Sequence, residues 1–241
     1  MRRFFSAQLP RPPRQGFHLR HPWVVAWGTV LPLLGLLLFY FRTPPPSSLP
    51  ISELLAKVSV AEDRTRILGY SRDKFGGGWA SSSVEVAGST HYCTTREHVL
   101  LTVFTPAEAP LPKPAPGAAR SASTCPRAAG TGVDQYTGKP LTPSDVEIDH
   151  IIPLSAAWDL GAHSWTAERR REFANDATWN LAVTAAEVNQ DKSDQTLGQW
   201  LPPAREAQCS YAFRYITVAV RYELSITAAD AKAARHVCGG R

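Results

Sequence analysis

The chain has 241 residues, 44% of them hydrophobic and 20% charged, with a formal net charge of +5. Six Arg and no acidic residue lie in residues 1–42, which leaves 20 basic against 21 acidic residues after Arg42. The part able to bury a core is therefore near neutral, which excludes nucleic-acid binding through a global positive field and leaves only local basic clusters for that purpose.

Residues 1–22 are rich in Pro and Arg, lack apolar periodicity and read as a disordered cytoplasmic tail. Residues 23–41 follow with no formal charge, long enough for a hydrocarbon core of ~30 Å. Trp23, Trp27 and Tyr40 near the ends suit the interfaces, and the arginines on the N-terminal side place the N-terminus inside and the rest outside. An uncleaved signal anchor is the expectation. Secretion after cleavage is the alternative, although Arg-Thr-Pro-Pro-Pro stands where a small-residue cleavage site would be needed. Residues 42–50, with four prolines, form a stiff spacer.

Ser52 is placed to cap a short helix carrying Leu54, Leu55 and Val58 on one face. Residues 70–79 mix aromatic, basic and glycine residues, so Arg72 and Lys74 are phosphate-contact candidates, against the plainer reading of a glycine turn beside a solvated charge cluster. Residues 93–104 end in an apolar run that is strand or helix, and the five prolines of residues 105–116 mark a loop. Residues 134–138 read as a turn.

Residues 146–152 are rich in β-branched types and are stopped by Pro153, which predicts a strand ending near His150. Successive side chains of a strand face opposite ways, so Asp149 and His150 can serve one site only if the strand ends there. A helix is predicted over residues 165–174 with Thr166 as its N-cap; Arg169, Arg170 and Arg171 spread over its surface, and a phosphate-contacting role for them, Arg169 and Arg170 foremost, stands against the plainer reading of a solvated face. A second short strand over residues 180–183 turns Leu181 and Val183 to the core, and Thr184 with Glu187 makes a capping box that opens a helix at once. Asn189 and Lys192 then share a helix face.

Trp200-Leu-Pro-Pro203 ends this unit. Tyr211, Tyr215, Ala219 and Tyr222 recur at helical spacing, and Thr227 with Asp230 caps a last helix reaching Val237. The four cysteines, Cys93, Cys125, Cys209 and Cys238, have no Cys-x-x-Cys pair, which argues against a structural zinc site and for two disulfides in an oxidising compartment. Three pairings are open on counting alone. If the last two helices are antiparallel, Cys209 meets Cys238 and Cys93 is left for Cys125, closing the proline-rich loop.

The order strand, long connection, strand, helix, with Asp149-His150, Asn180 and Asn189-x-x-Lys192 along it, resembles the HNH branch of the ββα-metal, or His-Me finger, endonucleases. More closely, residues 68–238 resemble the secreted or membrane-anchored HNH endonuclease family of actinobacteria. The likeness is carried by residues 69–75 (Gly-Tyr-Ser-Arg-Asp-Lys-Phe), 148–154 (Ile-Asp-His-Ile-Ile-Pro-Leu), 173–176 (Phe-Ala-Asn-Asp), 180–183 (Asn-Leu-Ala-Val) and 200–203. Thr94 and Glu97 depart from its pattern.

The resemblance implies an α+β domain over residues 51–241, with a ββα-metal motif at residues 146–194 and a C-terminal helix pair. It implies metal-dependent hydrolysis of phosphodiester bonds, DNA favoured over RNA. His150 would be the general base, its imidazole being largely neutral at pH 7. Asp149 and the Asn189 carbonyl would hold one divalent ion, Mg²⁺ or else Mn²⁺. Asn180 would position the His150 loop, while Lys192 would steady phosphate or pair with Asp191 or Asp194. Glu147 and Asp194 would support the ligands from behind, and Arg96 joins the phosphate candidates. The competing expectation is an inactive descendant that binds nucleic acid or an envelope partner without cutting.

Overall fold

The computed structural model describes residues 50–106 and 125–239. The expected tail, membrane segment and spacer, apart from Pro50, lie outside the described residues, as does most of the expected proline-rich loop. Among the described residues no helix is long and apolar enough to cross a membrane.

The architecture is α+β, with seven α-helices and several small sheets among the described residues. Helix α1 (Ile51–Leu55) buries Leu54 and Leu55, but Ser52 does not cap it: Pro50 holds the N-cap position and Ser52 sits inside the first turn. A 3-10 turn over Arg72–Phe75 follows and buries Phe75. Strands β1 (Ser81–Val86) and β2 (Ser89–Thr94) form a hairpin closed by Ala87 and Gly88, at φ of 50° and 79°. Positive φ at both loop residues matches the strand twist, a turn in which glycine carries the second position without steric cost. The hairpin runs into α2 (Thr95–Leu101), capped reciprocally by Thr94 and Glu97, so residues 93–104 are strand and then helix.

The central unit is an antiparallel pair, β3 (Val146–His150) with β4 (Leu181–Ala185), in the register Ile148 to Val183 and His150 to Leu181. Between the two strands the chain makes α3 (Leu154–Asp159) and α4 (Ala167–Ala174), the latter capped by the Thr166 hydroxyl as expected. Helix α5 (Ala186–Lys192) leaves β4 without a loop. Alternation then decides the packing. Val146, Ile148, Leu181 and Val183 join a small core with Val99 and Phe104, whereas Glu147 and Asp149 reach α5 through Asn189 and Lys192.

The expected capping box at Thr184 is not formed. Thr184 is still strand, and its hydroxyl donates to the carboxylate of Asp134, which also takes the Ala185 N–H at 2.9 Å. An acid fifty residues away therefore supplies what a local cap would have supplied.

The main core lies under α6 (Arg205–Tyr222) and α7 (Ala228–Cys238). The tyrosine stripe of α6 is buried there, with Phe75, Trp158, Phe173 and Trp200 packed against it or near it in edge-on aromatic contacts. Thr227 and Asp230 cap α7 reciprocally. Disulfides join Cys93 to Cys125 and Cys209 to Cys238, the second clamping the start of α6 to the end of α7.

Candidate active site

The end of β3 delivers Asp149 and His150 to a cleft of about 280 Å³, which Asn189 and Asp194 line from the α5 side, Arg72 from the 3-10 turn and Tyr70 from the chain just before it. Two adjacent strand residues can share this cleft because the ladder stops at His150, and the chain then turns through Ile151 and Ile152 into Pro153.

That turn is held by Asn180. Its side-chain oxygen accepts the Ile152 N–H at 3.1 Å, its amide donates to the Phe173 carbonyl at 3.0 Å, and its own carbonyl accepts the Ile151 N–H. The carboxamide is fully buried and spends its capacity on the backbone behind His150. It does not line the cleft.

His150 is 7% exposed. Its ring lies parallel to Trp79, with centroids 6.0 Å apart, and Nε2 is 3.0 Å from the Ala174 carbonyl. A carbonyl oxygen can only accept, so Nε2 carries the proton and Nδ1 keeps the lone pair. Burial pushes the imidazole down to about 4, with the Ala174 carbonyl opposing and the charges of Arg72 and Lys192 adding to the shift. At neutral pH the ring is uncharged and fixed in plane.

Asp149 is held from two sides. Oδ1 accepts from Lys192 Nζ at 2.9 Å and Oδ2 from the Tyr136 hydroxyl at 2.6 Å. Lys192 also donates to the His150 carbonyl and is 0% exposed. Burial pushes Asp149 up and Lys192 down, and the contact between them opposes both shifts. The expected pairing of Lys192 with Asp191 or Asp194 is thus replaced by the pair with Asp149. Burial beneath Asp149 is the reason. Asp191 instead takes the Trp200 indole N–H, and Asp194 is held by Arg64, Arg66 and Ser155.

Asn189 is half-buried, with its amide nitrogen donating to Glu147 at 2.6 Å. Glu147 thereby orients the carboxamide and leaves the side-chain oxygen Oδ1 of Asn189 without a protein partner among the described residues. One carboxylate and one amide oxygen on a single cleft are hard donors of the kind Mg²⁺ accepts while keeping several waters. No group of three or more His, Cys, Asp or Glu able to hold a metal occurs among the described residues. Asp149 and Asn189 therefore offer two oxygen donors on one cleft, and both oxygens of the Asp149 carboxylate already accept a hydrogen bond.

The basic candidates divide sharply. Arg72 lines the cleft with no hydrogen bond or ion pair from its side chain among the described residues. Lys74 lies over the Trp158 ring, 4.7 Å from its centroid. Arg169 donates to the Tyr222 carbonyl and pairs with Glu223, and Arg170 donates to the carbonyls of Lys74, Ala162 and Trp165. These last three side chains are thus engaged with the surrounding scaffold, unlike Arg72. Arg96, on α2, does not line this cleft.

Sequence reasoning missed Trp79, Tyr136 and Asp134. Trp79 stood only inside a glycine-rich segment, and Tyr136 and Asp134 only inside a turn. That turn exists, with the Asp134 carboxylate accepting the Tyr136 and Thr137 N–H groups, and its function is to aim Tyr136 at Asp149.

Residues 125–235 match the family described as GmrSD restriction endonucleases, C-terminal domain. A protein of Arthroderma benhamiae described as an uncharacterized secreted protein is 36% identical over 195 residues, covering 79% of this chain and 85% of that one. No solved structure matches the chain. The matched span holds Asp149, His150, Asn180, Asn189 and Lys192, whereas Arg72 and Trp79 precede it. The chain thus belongs to one family with the Arthroderma protein, and its residues 125–235 are similar to a nuclease-like domain, the C-terminal domain of the GmrSD restriction endonucleases.

Proposed function

We propose that the protein is a metal-dependent endonuclease of the HNH type, hydrolysing phosphodiester bonds of nucleic acid, with DNA as the favoured substrate. The observation that carries this reading is His150: an uncharged imidazole, locked by Trp79 and the Ala174 carbonyl, with Nδ1 left as a proton acceptor at the cleft that Asp149 and Asn189 line. The description of the family that residues 125–235 match supports the reaction class.

In this reading Nδ1 takes a proton from the attacking water, and the Nε2 hydrogen bond keeps the ring from turning away. Arg72 binds a non-bridging phosphate oxygen from the cleft wall. Asp149 and Asn189 would hold one Mg²⁺, with Mn²⁺ as a substitute, which would supply positive charge against that growing on the phosphate and the leaving oxygen. Tyr136 and Lys192 fix the Asp149 carboxylate, and Glu147 fixes the Asn189 amide. Asn180 is a positioning residue, touching backbone alone.

We place the domain outside the cytoplasm, with residues 23–41 as its membrane-crossing segment. Two disulfides and the description of the Arthroderma protein as secreted support that placement. The likeness to the actinobacterial HNH family remains the proposal made from the motifs.

One observation favours a second reading, an inactive module that binds nucleic acid or an envelope partner: Lys192 already neutralises Asp149. Plasmid nicking with Mg²⁺, with and without chelator, decides between the two. Nicking that chelator stops and that His150→Ala lowers at least a hundredfold supports the enzyme. Equal nicking by mutant and wild type removes it.

A further inference from the structure

A second cleft of about 130 Å³ adjoins the first through a shared wall of Arg72, His150 and Leu154. Its character differs. Asp149, Asn189 and Asp194 line the first, whereas the second is closed by Phe75, Trp79 and the glycine backbone at Gly76 and Gly78, with no acidic residue. A Cβ built at Gly78 meets nothing within 4 Å, so the glycine leaves open space that a side chain would enter. At Gly76 the nearest atom is Arg171 Cγ at 3.3 Å, which lays the stem of Arg171 along the rim.

Arg171 is exposed and its guanidinium makes no hydrogen bond or ion pair among the described residues, unlike its neighbours Arg169 and Arg170. Two guanidinium groups without a hydrogen bond or ion pair among the described residues therefore belong to this neighbourhood: that of Arg72, which lines the second cleft, and that of Arg171, whose stem passes Gly76 on the cleft wall. Alone that cleft is smaller than the ~300–1,000 Å³ usual for a small-ligand site, but joined to the first it reaches that range. It reads as an extension of the first.

We propose that the second cleft receives the sugar and base of the nucleotide next to the scissile phosphate, with Arg171 and Arg72 contacting phosphates of the same strand. The proposal rests on the nuclease reading above. Its physical content is a division of labour: the polar cleft takes the phosphate, and the adjoining cleft of aromatic, aliphatic and bare backbone walls takes the less polar part of the repeating unit. Arg171 thereby becomes a determinant for a polynucleotide over a phosphodiester that carries no nucleoside.

The test compares full-length wild type, Arg171→Ala and Arg169→Ala. Binding of a short fluorescein-labelled oligodeoxynucleotide is followed by anisotropy in chelator, where no cutting occurs. Hydrolysis of the same oligonucleotide and of bis(p-nitrophenyl) phosphate is then measured with Mg²⁺. Arg171→Ala is expected to weaken binding about tenfold, to lower the slope of log affinity against log salt by about one, and to cut kcat/KM for the oligonucleotide about tenfold more than for the nitrophenyl ester. Arg169→Ala is expected to bind as wild type. The proposal is overturned if Arg171→Ala binds as wild type, if wild type does not bind the oligonucleotide, or if Arg171→Ala slows both substrates by one factor. A wild type that binds but cleaves neither substrate with any divalent ion sinks the nuclease reading, and the binding result still decides the subsite.

Discussion

His150 is neutral because it is buried, and that has a consequence for stability. The unfolded imidazole takes a proton near pH 6.5, while the folded one resists until about 4. Between those values the unfolded state holds more protons, so stability falls as pH drops, by roughly 3 kcal/mol in all, and levels off below. Asp149 works in the opposite sense: its folded pKa is raised, so proton uptake there stabilises the native state as pH falls. Comparison with His150→Gln, which cannot titrate, separates the two contributions. The stability gap between wild type and variant, from urea melts, should shift toward the variant as pH goes from 7.5 to 4.5; a constant gap contradicts the buried neutral ring. Lys192 offers a sharper case. Lys192→Met leaves the Asp149 carboxylate buried against Tyr136 alone, and removing one partner of a buried pair costs about 3–5 kcal/mol. A urea midpoint unchanged by that substitution would show that the pair is not formed.

At the scale of elements, what was legible in the chain followed from local rules. Pro153 after a β-branched run marked the end of β3, Thr166 marked the start of α4, and Thr227 with Asp230 marked α7. What was not legible depended on partners far along the chain. Thr184 had the spacing of a cap, but Asp134 captured its hydroxyl; Trp79 reaches His150 across 71 residues, and Tyr136 reaches Asp149 from a turn. Spacing also could not separate Arg171 from Arg169 and Arg170, because which carbonyls consume a guanidinium is settled by packing. The helix pair was an intermediate case: period placed both helices, and their antiparallel packing brings Cys209 to Cys238. That bond closes a separation of 29 residues, so Cys209→Ser with Cys238→Ser should lose about 3–4 kcal/mol. Thermal melting of the double variant checks this. Unchanged melting would mean that the tyrosine stripe alone holds α6 against α7.

For the molecule as a whole, the near-neutral balance after Arg42 means that no general field draws a polyanion or a cation to the cleft. Affinity must come from the cleft itself, and there Lys192 and Asp149 already cancel. Two protein oxygens, one of them sharing its charge with an ammonium group, give a weak site, so the metal reading predicts a modest linkage effect. At Mg²⁺ ten times its dissociation constant, ligand binding to the native state adds about 1.4 kcal/mol. For a domain of this size that raises Tm by about 3–6 °C. Asn189→Ala removes one of the two oxygens without touching the core, since Asn189 is half-buried and bonded through its amide to Glu147. Scanning calorimetry against Mg²⁺ should therefore show a saturating rise in Tm for wild type and none for Asn189→Ala. K⁺ at matched ionic strength should leave both unchanged, since screening is common to them. Equal rises in the two proteins would place any bound Mg²⁺ away from the cleft and leave His150 without the cation that its chemistry requires.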